Sequence, residues 1–170
     1  MFDYQSVRAE PREDGEQVTE LWPGEPFTVE ERRDGWARIR TAYDYPGWIP
    51  LAVLGEPLAH ARSFLGAPYR WGGMTKNGID CSGLVHMSYR ASGRLVPRDA
   101  VQQEAAGAPV DEPRVGDLIS YGDEDAADHI AFWVGGGRIL HASGREGVRA
   151  VVEEPEPDAY KARRRKTFRL

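Results

Sequence analysis

The hydrophobic pattern of this chain changes its period near residue 55, and this change constrains the fold more than any other feature. Before it, short alternating runs such as "PFTVEER" and "WARIRT" are separated by the turn-forming stretches "RDG" and "DYPG". Closely spaced strands and turns are typical of a small barrel or sandwich. After it, "PLAHARSFLG", "DCSGLVHMSYRASG" and "DAVQQEAAG" permit helices, and strand-like runs follow to the end. We therefore predict an all-β domain over residues 1–55 and an α+β domain, with helices packed on an antiparallel sheet, over residues 56–170.

The first of these domains is too short to bury a large core. Aromatic side chains bury the most area per residue. We therefore expect Trp22, Trp36 and Trp48 to supply much of that core.

Composition and charge narrow the class of protein. The chain has 170 residues, a formal charge of -5 and a pI near 5.4, which argues against a general nucleic-acid binder. The basic run at 161–166 is interpreted as a solvated face, as most charge runs are. The start shows no secretory signal, and no run of 18 apolar residues could span a membrane, so we expect a soluble cytoplasmic protein.

Cys81 is the only cysteine, so no disulfide can form within the chain. It lies between an Asp and a Ser-Gly pair, where a loop is predicted to become a helix. A free cysteine can simply be a small hydrophobic side chain in a core. Alternatively it is a nucleophile, because the positive end of a helix dipole and a nearby imidazolium lower the pKa of a thiol.

Two of the four histidines could serve such a nucleophile. His129 and His141 fall on two strand-like runs joined by a short "GGGR" turn, so they could form a chain in which one imidazole takes the thiol proton and the other orients it. The alternative is that both are ordinary strand residues. His60 is expected at a helix surface, and His86, about 500° around the helix from Cys81, is expected to pack. Zinc needs three or four ligands, and no such cluster is evident, so neither a metal nor another cofactor is expected.

The segments that carry these residues resemble a known family. "APYRWGGMTKNGIDCSGLVHMSYRASG", followed by "DHIAFWVGGGRILHASG", is similar to the NlpC-type papain-like cysteine peptidases of the bacterial cell wall. The stretch "GEPFTVEERRDGWARIRT" with "YPGWIPLAVL" resembles a bacterial SH3-like domain. The resemblance implies that Cys81 is the nucleophile, that His129 is the general base and then acid, and that His141 orients His129. It also implies an oxyanion hole from the backbone N–H of Cys81 and the side chain of Tyr69, which could otherwise be a packed tyrosine.

A narrower resemblance points to the branch that cleaves the γ-D-glutamyl bond to a diamino acid in murein peptides with a free N-terminal L-Ala. In that branch an Asp of the "PRDS" element, here Asp99, helps to bind the amino group of the ligand. Its implied partners in the SH3-like module are Glu25 and Tyr45. An ammonium group requires anionic partners in a closed cleft, and a groove between domains is a common place for a pocket.

Two further positions match ligand contacts of that branch. These are Asp80 and Ser82, on either side of the nucleophile, although an Asp before a helix can equally be its N-cap. The chain has "PRDA" where the branch has "PRDS", so Ala100 cannot supply the hydroxyl. A cell-wall amidase or acyltransferase on the same scaffold and a non-catalytic wall-binding module are the alternatives. Recycling of imported wall fragments is the expected setting, with a murein peptide as partner and no expectation about oligomeric state.

Overall fold

A computed structural model of the chain describes residues 4–22 and 25–170. The chain divides into two compact units. The first takes in the described residues up to Glu56 together with Tyr89–Leu95, and the second comprises Pro57–Ser88 and Val96–Leu170. The boundary between residues 55 and 56 as a domain limit stays a prediction.

The first unit is built on one antiparallel sheet. Its strands are β1 (Gln5–Arg8), β2 (Gln17–Leu21), β3 (Phe27–Arg33), β4 (Trp36–Thr41) and β5 (Pro46–Pro50), in the order β2-β1-β5-β4-β3, and a short 3₁₀ helix follows at Leu51–Leu54. The strand pattern predicted from the alternating runs is thereby confirmed. Along β4 every second side chain is buried, as a pleated strand with one face on a core requires.

The core of this unit is aliphatic rather than aromatic. It consists of six buried side chains, namely Val7, Leu21, Ala37, Ile39, Ile49 and Leu54. Trp48 is buried as expected, but the prediction was wrong for Trp22, which is 58% exposed. Trp22 lies just after the end of β2 rather than within a strand, so the pleat does not turn its ring inward.

Four helices and eight strands follow within the described residues, and all belong to the second unit except the last three residues of the helix over 81–91, which belong to the first. The helices are α1 (Pro57–Arg62), α2 (Cys81–Ala91), α3 (Ala100–Ala106) and α4 (Asp158–Lys161). The strands are β6 (Met74–Thr75), β7 (Gly78–Ile79), β8 (Ala108–Pro109), β9 (Leu118–Gly122), β10 (Ala127–Gly135), β11 (Arg138–Ser143), β12 (Ala150–Pro155) and β13 (Arg164–Arg169). The predicted order of helices first and strands afterwards is confirmed for the main sheet, except that the short pair β6–β7 precedes α2 and the short α4 lies between the last two strands.

Six of these strands form a single antiparallel sheet in the order β12-β11-β10-β9-β13-β8. β10 and β11 are joined by a tight hairpin whose three glycines, Gly135, Gly136 and Gly137, all have positive φ. Such backbone angles are open to glycine at little steric cost, which explains the glycine run in the sequence. The hairpin places the strand that carries His129 beside the strand that carries His141.

The basic run at 161–166 begins at the last residue of α4 and continues into β13. Its arginines are paired with acidic side chains of the same unit: Arg163 with Asp123 and Asp128, Arg164 with Glu156, and Arg165 with Glu104. The cluster therefore neutralises acidic side chains around the sheet. None of the helices in residues 4–22 and 25–170 is long and apolar enough to cross a membrane.

Candidate active site

Cys81 is the first residue of α2, and the residue before it fixes the start of that helix. The Asp80 carboxylate accepts a hydrogen bond from the backbone N–H of Gly83 at 2.7 Å, which is the N-cap to N3 contact of a capped helix. A side chain at position 83 would not fit, because its Cβ would lie 2.5 Å from the Gly73 carbonyl oxygen. The Asp-Cys-Ser-Gly sequence is thus what a tightly packed helix start requires.

The other carboxylate oxygen of Asp80 is also in use. It accepts hydrogen bonds from the Gly72 backbone N–H at 2.7 Å and from Arg98 at 2.8 Å. Arg98 in addition donates to the Ser82 hydroxyl at 2.9 Å. These contacts support the N-cap role of Asp80, and a ligand-binding role of Asp80 and Ser82 stays a prediction.

Cys81 is buried, and its surroundings do not match the expected lowering of its pKa. Burial and the neighbouring Asp80 carboxylate raise the pKa of the Cys81 thiol to about 11. Backbone N–H groups, among them that of Ile130, act in the opposite direction but do not outweigh the burial. Taken by itself, the thiol therefore stays protonated at neutral pH, because desolvation disfavours the charged form of a group.

His129 and His141 are hydrogen-bonded to each other. The Nε2 of His129 lies 2.7 Å from the Nδ1 of His141, and both rings are buried. Phe132 of β10 is paired with Leu140 of β11. When this register is continued by one residue, His129 and His141 lie diagonally across the two strands and on the same face of the sheet. The backbone N–H of Ile130, the residue after His129, is close enough to Cys81 to act against the rise in the pKa of its thiol. The start of α2 and the histidine pair therefore belong to one site.

Burial acts on the imidazoles in the direction opposite to its effect on the thiol. It lowers the pKa of His129 well below the usual value, and the nearby charges of His141, Arg163 and Arg145 lower it further. Burial also lowers the pKa of His141, although the hydrogen bond with Glu154 works against this. Both imidazole rings are therefore neutral at pH 7, so His129 is available to accept a proton.

An aromatic side chain covers this histidine pair. The ring of Tyr160 stacks on His129 with 4.7 Å between ring centroids and 7° between the planes, and it meets His141 edge-on at 5.4 Å. Tyr121 approaches His129 from another direction at 5.8 Å. The two tyrosines restrict the rotation of the His129 ring, as the predicted role of a proton acceptor would require.

Tyr69 lies near Cys81. Burial, followed by the charge of an ionised Cys81, raises the pKa of the Tyr69 hydroxyl, so this hydroxyl remains a donor at neutral pH. Its ring packs closely on Gly144, where an added Cβ would come within 2.9 Å of the ring. Packing and proximity to Cys81 therefore coexist at this residue, and its oxyanion role stays a prediction.

A cleft of about 650 Å³ opens at Cys81. It is lined by Trp71, Gly72, Asp80, Cys81, Ser82, Arg98, Asp99, Ala100, Val101, Gln102, Ala127 and Asp128. Its size is that of a site for a small ligand. Asp99 is exposed here and serves as the N-cap of α3, forming a capping box with Gln102. Trp71, which is 80% exposed, offers the cleft a large aromatic face.

The other predicted contacts lie in the first unit. Glu25 accepts a hydrogen bond from the backbone N–H of Trp22 at 3.0 Å, and Tyr45 is an exposed side chain 6.4 Å from the ring of Tyr43. Their part in a substrate site therefore stays a prediction. His86 has a packing role, because its Nδ1 hydrogen-bonds the Val96 carbonyl at 2.8 Å.

Sequence reasoning did not find Arg98, Arg145, Glu154 and Tyr160. Arg98 follows Asp80 by 18 residues, and only tertiary structure joins them. Glu154 accepts from His141 at 3.0 Å, but the sequence offers two adjacent glutamates on a strand and no means to choose between them. Among the residues that the structure describes, no group of three or more His, Cys, Asp or Glu side chains could hold a metal ion.

A cysteine that opens a buried helix, with a histidine pair on neighbouring strands, is the arrangement of the papain-like class, which is recognised by geometry rather than by sequence position. Residues 66–167 match the NlpC/P60 family, and residues 7–54 match the bacterial dipeptidyl-peptidase SH3 domain. The chain belongs to the NlpC/P60 family.

One curated relative and two solved structures illustrate what the chain is similar to. A γ-D-glutamyl-L-lysine dipeptidyl-peptidase of Bacillus subtilis is 43% identical over 84 residues, covering 46% of this chain and 28% of the relative. An NlpC/P60 family protein from Bacillus cereus shares the fold with a TM-score of 0.62, 22% identity and coverage of 98% of this chain and 60% of that one. RipD of Mycobacterium tuberculosis, called a non-catalytic NlpC/p60 domain protein adapted to peptidoglycan binding, has a TM-score of 0.56 at 26% identity, with 71% of this chain and 96% of that one covered.

Proposed function

We propose that this chain is a cysteine peptidase that hydrolyses the γ-D-glutamyl–diamino acid bond of murein peptides with a free N-terminal L-Ala. The observation that carries the proposal is Cys81 at the capped start of α2, in a cleft, next to a strand that bears the hydrogen-bonded pair His129 and His141. The name of the Bacillus subtilis relative supports this bond as the one cleaved. The exposed carboxylate of Asp99 in the same cleft supports a substrate that carries a free ammonium group.

The first half of the reaction forms an acyl-enzyme. His129 takes the proton of the Cys81 thiol through Nδ1, since its Nε2 is engaged by His141, and the sulfur attacks the carbonyl carbon of the γ-glutamyl group. The negative charge that develops on the carbonyl oxygen is stabilised by the Cys81 backbone N–H and the Tyr69 hydroxyl. His129 then donates its proton to the nitrogen of the diamino acid, the C–N bond breaks, and this amine leaves.

The second half regenerates the thiol. A water molecule gives a proton to His129 and adds to the thioester carbon, and the same two donors stabilise the second tetrahedral intermediate. Its collapse breaks the C–S bond, releases L-Ala-γ-D-Glu with a free carboxyl group, and returns the proton from His129 to the sulfur. His129 thus acts as base and acid in both halves, which requires that its ring keeps one orientation against Tyr160.

The test is a comparison of two peptides. The full chain is incubated with the tripeptide L-Ala-γ-D-Glu-diamino acid and with its N-acetylated form, and the products are identified by mass spectrometry. We expect L-Ala-γ-D-Glu and the free diamino acid from the first peptide, formed at least tens of times more efficiently than from the second. Equal cleavage of both would contradict the requirement for a free amine, and an acylated acceptor in place of the free acid would identify an acyltransferase.

Binding of wall peptides without cleavage is the second candidate. It is favoured by the burial that keeps the Cys81 thiol protonated and by the non-catalytic relative. In the same experiment this candidate predicts tripeptide binding, measured by calorimetry, with no product. Turnover that is lost in Cys81→Ala would exclude it.

A further inference from the structure

The hydrogen-bond chain that begins at the catalytic histidines continues beyond His141. On β12, the Glu154 carboxylate accepts from His141 Nε2 at 3.0 Å through Oε1. Arg145 in turn donates to both oxygens of Glu154 at 2.9 Å each. Four side chains therefore form one continuous path from His129 to Arg145 within the second unit.

The register of the sheet builds this contact. His141 is paired with Val152 and Ile139 with Glu154, so His141 and Glu154 lie diagonally on one face of the β11–β12 pair. Successive side chains of a strand alternate between faces. Accordingly the adjacent Glu153 makes different contacts, with Arg62 at 3.0 Å and Arg138 at 4.0 Å.

The donors and acceptors along this path can be assigned in one way only while Glu154 is ionised. An ionised carboxylate only accepts hydrogen bonds, so His141 must carry its proton on Nε2. A neutral imidazole has one donor and one acceptor nitrogen, so His141 Nδ1 accepts and His129 Nε2 must donate. The lone pair of neutral His129 is then on Nδ1, the nitrogen that faces away from His141.

Glu154 is ionised at neutral pH. Burial alone would raise the pKa of Glu154, but the hydrogen bonds from Arg145 and His141 outweigh it and hold that pKa below its usual range. The rings of Tyr160 and Tyr121 also lie against the histidine pair, and the charge of Arg163 acts on His129. His141 and Glu154 are hydrogen-bonded to each other directly.

We infer that Glu154, held by Arg145, is a positioning residue that sets the tautomer of both histidines and so leaves Nδ1 of His129 free to take the proton of Cys81. The inference rests on the proposed roles of Cys81 and His129. Which nitrogen of an imidazole is protonated is set by the hydrogen bond that its other nitrogen makes. Without Glu154, the reversed chain with protons on both Nδ1 atoms becomes accessible, and in that chain His129 cannot accept from the thiol.

The first measurement is the tautomer itself. Nitrogen-15 NMR of the full chain with Cys81→Ala at pH 7, in which no thiol can exchange a proton with His129, should show both His129 and His141 protonated on Nε2. In the same background, Glu154→Leu should give His129 a mixture of tautomers, whereas Glu154→Gln, which keeps an acceptor oxygen toward His141, should retain the Nε2-protonated form. Protonation of His129 on Nδ1 in the chain with Glu154 intact would overturn the inference.

The second measurement is the rate of alkylation of Cys81 by iodoacetamide, which needs no knowledge of the substrate. For imidazoles that bind metal ions, loss of the partner that orients the ring typically costs about 10- to 100-fold in affinity or activity, and we expect an effect at the lower end of that range here. Glu154→Leu should therefore slow alkylation at pH 7 by at least about tenfold, and Glu154→Gln should restore most of the rate. The matched controls Glu153→Leu and Glu153→Gln, one residue along the same strand, should alkylate like the unsubstituted chain.

The outcomes separate this inference from the proposed function. Unchanged alkylation in Glu154→Leu, or an equal loss in Glu154→Leu and Glu154→Gln, would overturn the role of Glu154 even if the tripeptide is cleaved. If the tripeptide is not cleaved while both histidines are protonated on Nε2, the peptidase proposal fails and the assignment of Glu154 stands. If Glu154→Leu does not fold, as judged by circular dichroism, the tautomers of His129 and His141 in the chain with Glu154 intact still test the inference.

Discussion

Removal of a single hydroxyl tests the oxyanion hole most directly. In Tyr69→Phe the aromatic ring is kept, and so is its packing on Gly144. What is lost is a donor that remains protonated at neutral pH, because burial and the neighbouring Cys81 raise the pKa of the Tyr69 hydroxyl. The change therefore removes one interaction with the developing charge and leaves the surrounding structure in place.

The expected effect is on kcat rather than on KM. Removal of one oxyanion donor typically costs about 100- to 1,000-fold in kcat, or about 2.7–4 kcal/mol of transition-state stabilisation. The tripeptide carbonyl in the ground state carries little charge, so KM should change only slightly. The free energy of unfolding should stay within about 0.5 kcal/mol of the unsubstituted value, since no packing contact of the ring is removed.

The assay is steady-state cleavage of the free tripeptide, with urea unfolding as the stability measurement. Tyr43→Phe is the matched control, because its hydroxyl contacts Thr19 in the first unit at 2.8 Å. Gly144→Ala provides an independent test, since its new Cβ would lie 2.9 Å from the ring and must displace Tyr69. A loss of kcat in Gly144→Ala but not in Tyr69→Phe, or unchanged kcat in both, would refute the donor role of the hydroxyl.

Three further substitutions test the nucleophile, the base and the substrate contact. Cys81→Ala should abolish turnover with the fold intact, and retained turnover would contradict the peptidase hypothesis. Alkylation of the unsubstituted chain by iodoacetamide should accelerate from pH 6 to pH 9, because burial raises the pKa of Cys81 to about 11 and deprotonation increases throughout this range. His129→Ala should lower kcat by at least about 100-fold and more than His141→Ala, whereas His86→Ala should leave kcat largely unchanged, and a larger loss at His86 would mean that the site is misplaced. Asp99→Asn, which keeps an N-cap residue, should narrow the ratio of rates for the free and the acetylated tripeptide mainly by slowing the free one. An unchanged ratio in Asp99→Asn would assign the amine to another partner.

The elements of the fold were predictable because their signals are local. The capped start of α2, the glycine hairpin between β10 and β11 and the alternation along β4 are all encoded within a few residues. The sequence placed His129 and His141 on adjacent strands, and the structure joins them by a hydrogen bond of 2.7 Å. The aromatic core of the first unit was predicted wrongly at Trp22, because hydrophobicity alone does not tell whether a side chain follows a strand or lies within it.

The remainder of the site depends on contacts between distant segments. Arg98 meets Asp80 across 18 residues, and Tyr160 reaches His129 from the helix before the last strand. Glu154 and Glu153 look equivalent in the sequence, and only the register of β12 on β11 makes one a partner of His141. The pKa of Cys81 could not be predicted from the sequence either. The position at a helix start predicts a lowered pKa, whereas the depth of burial, which the sequence does not show, raises it.

Burial opposes charge on the Cys81 thiol and on the His129 imidazole separately, and the proposed mechanism requires the two groups to act together for this reason. A thiolate alone at Cys81 or an imidazolium alone at His129 would be a single charge in a desolvated site, and both pKa shifts reflect that cost. Transfer of the proton from Cys81 to His129 creates both charges at once, and their mutual attraction is strong where water is excluded. The positive charge on His129 is further supported through His141 by the carboxylate of Glu154. In the proposed mechanism the site therefore reaches its reactive form without a change in net charge, and the orientation of His129 determines how readily the proton is transferred.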